Sequence, residues 1–191
     1  MKGPILTSLF IAVAGHAICQ KIELPLKDSL IVYENVVRLD STTKKDILYK
    51  RAKTWFINNS STLKTTIDID DNSNGTLVGK AEFKLSVPEN AIVYFTRTCS
   101  FSIQVDVKDG RYRYKIFNIV TTRPYPHSVL VLDVSKNYMM YLKDEIRTYG
   151  FISKKRLSND FRETFEDLDT NIKKIINSLR SALKSSQSED F

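Results

Sequence analysis

Cysteine, histidine and glycine are all scarce in this chain. Its 191 residues contain two cysteines, two histidines, six glycines and a single tryptophan. One cysteine, Cys19, ends an apolar leader. If the leader is removed after it, only Cys99 remains, and one cysteine cannot close an internal disulfide or form a zinc set. Cys99 extends the apolar alternation 99, 101, 103, which predicts a small buried core residue. The only histidine outside the leader, His127, lies beside Pro126 in an ArgProTyrProHis stretch and has no His or Cys partner for a triad or a metal site. No glycine-rich phosphate loop and no GxSxG elbow occurs. The run Asp68, Asp70, Asp71, Asn72 lacks the spacing and closing Glu of an EF-hand, so a solvated turn is expected there. Carboxylate pairs such as Asp70-Asp71 and Glu166-Asp167 read as turn or helix-surface acids. Neither a metal nor a cofactor is implied, and the expectation is a protein that is not an enzyme.

Long apolar runs are also missing, with one exception. After Met1-Lys2, residues Pro4 to Gly15 are nearly all apolar, and Ala17-Ile18-Cys19 precedes Gln20. This is the three-part pattern of a secretory signal over residues 1–19. The run is shorter than the ~20 residues of a membrane span, and no second one follows. Ile18 directly before Cys19 argues against acylation of that cysteine, since lipoprotein processing prefers a small residue there. An exported, periplasmic or envelope-associated protein follows as the expectation.

What the chain does have is alternation and positive charge. Lys plus Arg number 29 against 22 Asp plus Glu, giving a formal net charge of +7. The clearest stretch is Phe101 to Val120, which reads as two strands joined by Asp109-Gly110 in a type I′ turn. Such a turn sets Lys108 opposite Arg111, Val107 opposite Tyr112, Asp106 opposite Arg113, Val105 opposite Tyr114 and Ile103 opposite Ile116. One face is then Phe101, Ile103, Val105, Val107, Tyr112, Tyr114 and Ile116. The other is polar, with Phe117 and Ile119 as its only bulky apolar members. A slip of one residue would bury the charges, so the sheet is expected to have one buried face and one wet face.

The remaining elements follow in order. Residues 31–39 form a strand by their β-branched content. Thr43 and Asp46 make a capping box for a helix over 44–58, with Ile47, Leu48, Ala52, Trp55 and Phe56 inward. Residues 64–70 and 76–87 are strands around the turn at 71–75. In the second, Leu77, Ala81, Phe83, Leu85 and Val87 face in, while Val78, Lys80, Glu82 and Lys84 face out. Residues 121–157 read as a loop with a short apolar run at 129–134 and some helix after it. Phe161, Phe165, Leu168, Ile172, Ile175, Ile176, Leu179 and Leu183 define a terminal amphipathic helix with Ser158 as N-cap. Residues 185–191 form a disordered tail. Residues 20–184 are thus one α+β domain of order β-α-β-β-β-β-α, an antiparallel sheet of about five strands with two helices on one face.

Several stretches resemble one family. Ile31 to Leu39 (IVYENVVRL), Tyr49 to Phe56 (YKRAKTWF), Gly75 to Phe83 (GTLVGKAEF) and above all Val107 to Asn118 (VKDGRYRYKIFN) are similar to a family of secreted proteins, common in Bacteroidota, described as a domain of unknown function with a TATA-binding-protein-like (TBP-like) fold. The resemblance implies that fold and an exported location. It also implies that residues 121–157 are a variable insertion, and it implies no activity and no catalytic residues.

The wet face supplies the candidate site. Lys80, Lys84, Lys108, Arg111, Arg113 and Lys115 outnumber Glu82 and Asp106 there, and such a surface suits an anionic envelope glycan, a lipid headgroup or a partner protein. Cross-strand pairs that keep a wet sheet soluble are the alternative reading of these charges. An envelope hydrolase would need acids and tyrosines of residues 121–157 to gather in a cleft. Nucleic-acid binding, suggested by the fold analogy alone, ranks last, because fold does not confer function and an exported protein meets little DNA.

Overall fold

The computed structural model describes residues 21–59, 63–88, 94–125, 128–146 and 153–184. The expected signal segment, His127 and the expected tail lie outside them. A short hairpin, β1 (Leu26–Lys27) with β2 (Leu30–Ile31), leads into β3 (Tyr33–Arg38) and helix α1 (Lys45–Asn58). The chain continues through β4 (Thr66–Asp71), β5 (Thr76–Pro88), β6 (Tyr94–Lys108), β7 (Arg111–Tyr125) and β8 (Ser128–Asp133). Two helices close it, α2 (Val134–Leu142) and α3 (Lys154–Lys184).

The sheet is antiparallel, in the order β3-β7-β6-β5-β4. β3 pairs with the first part of β7 and β8 with its last part, both on the edge opposite β6. Among the described residues the sheet therefore has six strands where the sequence suggests about five, and the chain has three helices where it suggests two. The added pieces are β8 and α2, which make regular structure out of residues 128–142. The expected strand 31–39 is divided between β2 and β3 at Val32, whose N–H turns to the carbonyl of Pro25 at 3.0 Å.

The β6–β7 register is the one read from the sequence from Ile103 to Lys108. Its turn differs. Only Gly110 takes a positive φ, +67°, so a type I′ turn, which needs two such residues, does not form. Helix α1 holds this turn instead. Asp109 Oδ1 accepts from the Lys45 N–H at 2.7 Å, and the Gly110 N–H donates to the Thr43 carbonyl at 2.9 Å. The same contact replaces the expected capping box: the helix has Lys44 as N-cap with no side-chain cap of its own. Helix α3 likewise starts at Lys154, before the expected cap at Ser158.

Alternation puts Leu77, Ala81, Leu85, Cys99, Phe101, Ile103, Val105, Val107, Tyr112, Tyr114 and Ile116 into the core. Helix α1 covers them with Leu48, Tyr49, Ala52, Trp55 and Phe56, a stripe at intervals of one, three and four residues. Ile47 falls outside that stripe and is 46 % exposed, contrary to the expectation that it faces in, and Tyr49 takes the place. Helix α3 adds Phe165, Leu168, Ile172, Ile175, Ile176, Leu179 and Leu183. Trp55 is core, as its spacing suggests, and its indole N–H donates to Ser178 Oγ at 3.0 Å, tying α1 to α3. Tyr33 does the same for β3, donating from its hydroxyl to Asp169 Oδ1 at 3.0 Å.

A bulge changes the parity of β7. The ladder slips between Ser100 and Ser102, and Asn118 takes a φ of +54°. Before it, Tyr112, Tyr114 and Ile116 face the core; after it, Ile119 and Thr121 do. Ile119 is 3 % exposed and belongs to the core, so its expected place on the wet face is wrong. Phe117, one residue before the slip, remains on that face, half-buried.

Candidate anion-binding site at the hairpin end of the open sheet face

The wet face can be read in rows, because in-register partners on neighbouring strands point the same way. The row nearest the β6–β7 turn is Arg38, Arg111, Lys108. The next runs Val36, Arg113, Asp106, Thr76, Asp71, and the third Glu34, Lys115, Gln104, Val78, Ile69. Farther along come Phe117, Ser102, Lys80, Thr66, and Lys84 opposite Thr98.

The six cations named from the sequence do not form one site. Thr98 and Lys108 are ten residues apart on β6, so Lys84 and Lys108 lie about 33 Å from each other along the strand at ~3.3 Å per residue. Three of the six are occupied. Lys80 pairs with Asp68 at 3.0 Å. Arg113 donates from Nε and Nη2 to Asp106 Oδ2 at 2.9 and 2.7 Å and lies 3.6 Å from Glu34. Lys115 sits over the Phe117 ring, 4.8 Å from its centroid.

Asp106 is the hub of the second row. Its Oδ1 also accepts from Thr76 Oγ1 at 2.9 Å, and both oxygens accept from Gln104 Nε2 at 3.0 Å. Partial burial works to raise its pKa, but the hydrogen bonds from Gln104, Arg113 and Thr76 outweigh it and hold the carboxyl below its usual range. Glu34 is likewise held low, chiefly by its hydrogen bond from Lys27 at 3.0 Å. This part of the face is a self-neutralised network.

The first row is different. Arg38, Arg111 and Lys108 are exposed, face one another in register, and have no carboxylate partner among the described residues. The nearby acids are turned to backbone: Asp109 to the Lys45 N–H, and Asp40 Oδ1 to the Thr42 N–H at 3.0 Å. An open groove of about 590 Å³ runs between Arg38, Ser41, Lys108 and Arg111, with Asp109 and Gly110 of the turn also lining it. Two more depressions open beside it and share Lys108, one towards Thr76 and Asp106, the other towards Lys44 and Lys45. Arg38 was not among the sequence-derived candidates. The alternation Glu34, Val36, Arg38 places it on the wet face, but its row is visible only once β3 is known to pair with β7.

Other conspicuous groups are structural. Asp70 accepts from the Tyr49 hydroxyl and from Lys53 Nζ, and Asp71 closes its own turn by accepting from Ser73 and Asn74. Burial pushes the Cys99 thiol up to about 12. Among the described residues no group of three or more His, Cys, Asp or Glu could hold a metal ion, and no helix is long and apolar enough to cross a membrane.

A one-sided antiparallel sheet with its helices on the other face and its strands open to solvent is the architecture of TBP-like α+β proteins. Residues 33–122, from β3 to most of β7, match the family model described as a domain of unknown function (DUF4468) with TBP-like fold. The resemblance read from the sequence therefore holds. The crystal structure of a DUF4468 family protein from Bacteroides ovatus is similar with a TM-score of 0.63 at 14% identity, covering 87% of this chain and 93% of that one. That of a TBP-like protein from Parabacteroides distasonis is similar with a TM-score of 0.53 at 13% identity, covering 82% and 96%. A search of curated proteins gives no match.

Proposed function

We propose that this protein is an exported, non-enzymatic domain of the cell envelope that binds an anionic partner on its open sheet face. The observation that carries the reading is the row Arg38, Arg111, Lys108, three exposed cations opposite one another with no acid between them. Like charges directly opposite on a sheet are destabilising, and a chain that needed only solubility is better served by the mixed pairs of the neighbouring rows. Export rests on the sequence pattern of residues 1–19. The non-enzymatic part is supported by the fact that Tyr33, Tyr49, Asp70 and Asp106 each serve a structural hydrogen bond.

Nucleic acid is the less favoured partner in this reading. Minor-groove binders of this architecture wedge apolar side chains between bases. Here Ile119 is buried, and Phe117 lies under Lys115.

The test is binding of the purified protein to an array of anionic glycans, envelope lipids and acidic peptides at low and moderate salt. The control carries Lys108→Glu and Arg111→Glu. Saturable binding that weakens with salt and is lost in the control supports the proposal. Binding that the control leaves unchanged, or none at all, moves the search to another surface.

A further inference from the structure

We infer that the groove between Arg38, Ser41, Lys108 and Arg111 is a phosphate-group site. This inference rests on the proposed anion-binding role and narrows it to one chemistry and one end of the face. Three adjacent strands, ~4.8 Å apart, each contribute one cation, and Arg111 lies between the other two. A carboxylate has one charge and two oxygens, enough for a single guanidinium fork. A phosphate monoester carries −1.5 to −2 charges and three free oxygens, so it can accept from two arginines and a lysine together. Ser41 lines the same groove and offers a hydroxyl, a neutral donor. The volume of about 590 Å³ leaves room for a sugar or glycerol attached to the phosphate. Asp109 also lines the groove, but its Oδ1 accepts from the Lys45 N–H and Asp40 Oδ1 accepts from the Thr42 N–H, so neither acid is paired with a cation of the row.

The row also makes a prediction for the empty protein. Its two like-charge contacts, Arg38 with Arg111 and Arg111 with Lys108, both involve the middle residue. Replacing Arg111 with Gln therefore leaves the unliganded protein at least as stable while removing the site.

Calorimetric titration with inorganic phosphate, glycerol 3-phosphate and acetate, beside flotation with phosphatidic acid or phosphatidylcholine vesicles, tests this. The proteins compared are the wild type, R111Q, the double variant R38Q/K108Q, and K80Q/K84Q as a control on the same face. The expected result is saturable binding of the phosphate compounds, at least tenfold weaker in R111Q and in R38Q/K108Q and unchanged in K80Q/K84Q, with R111Q melting no lower than the wild type. Retention on phosphatidic acid vesicles alone identifies the phosphate as that of a lipid headgroup, and binding of glycerol 3-phosphate identifies a soluble ester. Equal or tighter binding of acetate overturns the phosphate assignment but keeps the anion-binding reading. Equal loss in K80Q/K84Q overturns the location. If neither these probes nor the anionic array binds, both readings fall.

Discussion

Asp109, at the tip of the β6–β7 hairpin, caps helix α1 by accepting the Lys45 N–H at 2.7 Å. The two residues are 64 positions apart. A helix N-terminus leaves several N–H groups without partners, and here the turn of a distant hairpin satisfies one. The contact works together with the Gly110–Thr43 and Leu39–Gly110 backbone bonds. It fixes the hairpin end, and with it the row of cations, against the rigid part of the fold. Asp109→Ala is expected to cost about 1 kcal/mol, as other N-cap deletions do, and Asp109→Asn much less, because its amide oxygen still accepts. Urea unfolding of both variants measures this; equal losses would mean that the carboxylate charge, not the hydrogen bond, stabilises the turn.

Asp106 gives a pH dependence. Its pKa in the folded protein is below the ordinary carboxylate value, so the folded state favours the ionised form. The stability it contributes is fully present above the unfolded pKa, ~3.9, and is lost as pH falls through the lower folded value. Asp106→Asn should therefore destabilise at pH 7, by about 2 kcal/mol for the loss of charge-assisted hydrogen bonds. The gap to the wild type should narrow below about pH 4. Thermal melts of both proteins from pH 7 to pH 2 check the trend; a constant gap would exclude the carboxylate as its source.

The bulge at Asn118 is a third point of leverage. A φ of +54° suits Asn and Gly and is costly for a β-branched residue. Asn118→Gly should leave stability nearly unchanged, whereas Asn118→Val should cost about 1–2 kcal/mol. If Asn118→Val instead moves the strand into regular register, Ile119 turns outward, and nuclear magnetic resonance cross-peaks between Ile119 and the core disappear.

How far the sequence reveals this fold depends on which forces are local. The β6–β7 register was legible because a two-residue turn and strict alternation both fix it, and it held even though the turn type did not. Ile119 was misplaced because the slip arises from a single left-handed residue, which leaves alternation on each side intact and gives no other signal. Strand β8 was hidden by Pro124 and Pro126, which read as a loop. Pro124 is tolerated in β7 because pairing with β6 ends at Thr122, and beyond it β7 pairs only with β8. The cationic site was half legible: Lys108 and Arg111 come from the hairpin itself, but Arg38 joins them only through a pairing between strands 73 residues apart, counted from 38 to 111. Of the neutralised pairs, Asp106 with Arg113 follows from the hairpin register, whereas Lys80 meets Asp68 across a ladder that shifts register between Ile67 and Ile69.

Buried Cys99 follows from alternation and predicts chemical silence. It is fully buried, and burial pushes its thiol up to about 12. Folded protein lacking residues 1–19, and with them Cys19, should not react with a thiol-specific disulfide reagent at pH 8 over hours, and should take up one equivalent in denaturant. Rapid labelling of the folded protein would mean that β6 opens locally.

Gly79 ties the sheet to α1 more tightly than any other described glycine. A Cβ built there would lie 2.2 Å from the Thr66 carbonyl oxygen and 2.7 Å from Phe56 Cε1. The first is backbone of the edge strand β4, the second a ring at the centre of the core. Gly79→Ala must therefore push β4 outward or the ring aside, at a cost of about 2–3 kcal/mol, in the upper part of the range for overpacking. Shortening the ring separates the two contributions. In the double variant Gly79→Ala with Phe56→Leu, the ring clash is relieved but the Thr66 contact is not. Chemical denaturation of the four proteins of this cycle should show favourable coupling between the two substitutions, with part of the Gly79→Ala loss remaining. Complete rescue would mean that β4 yields freely and that the ring alone requires the glycine.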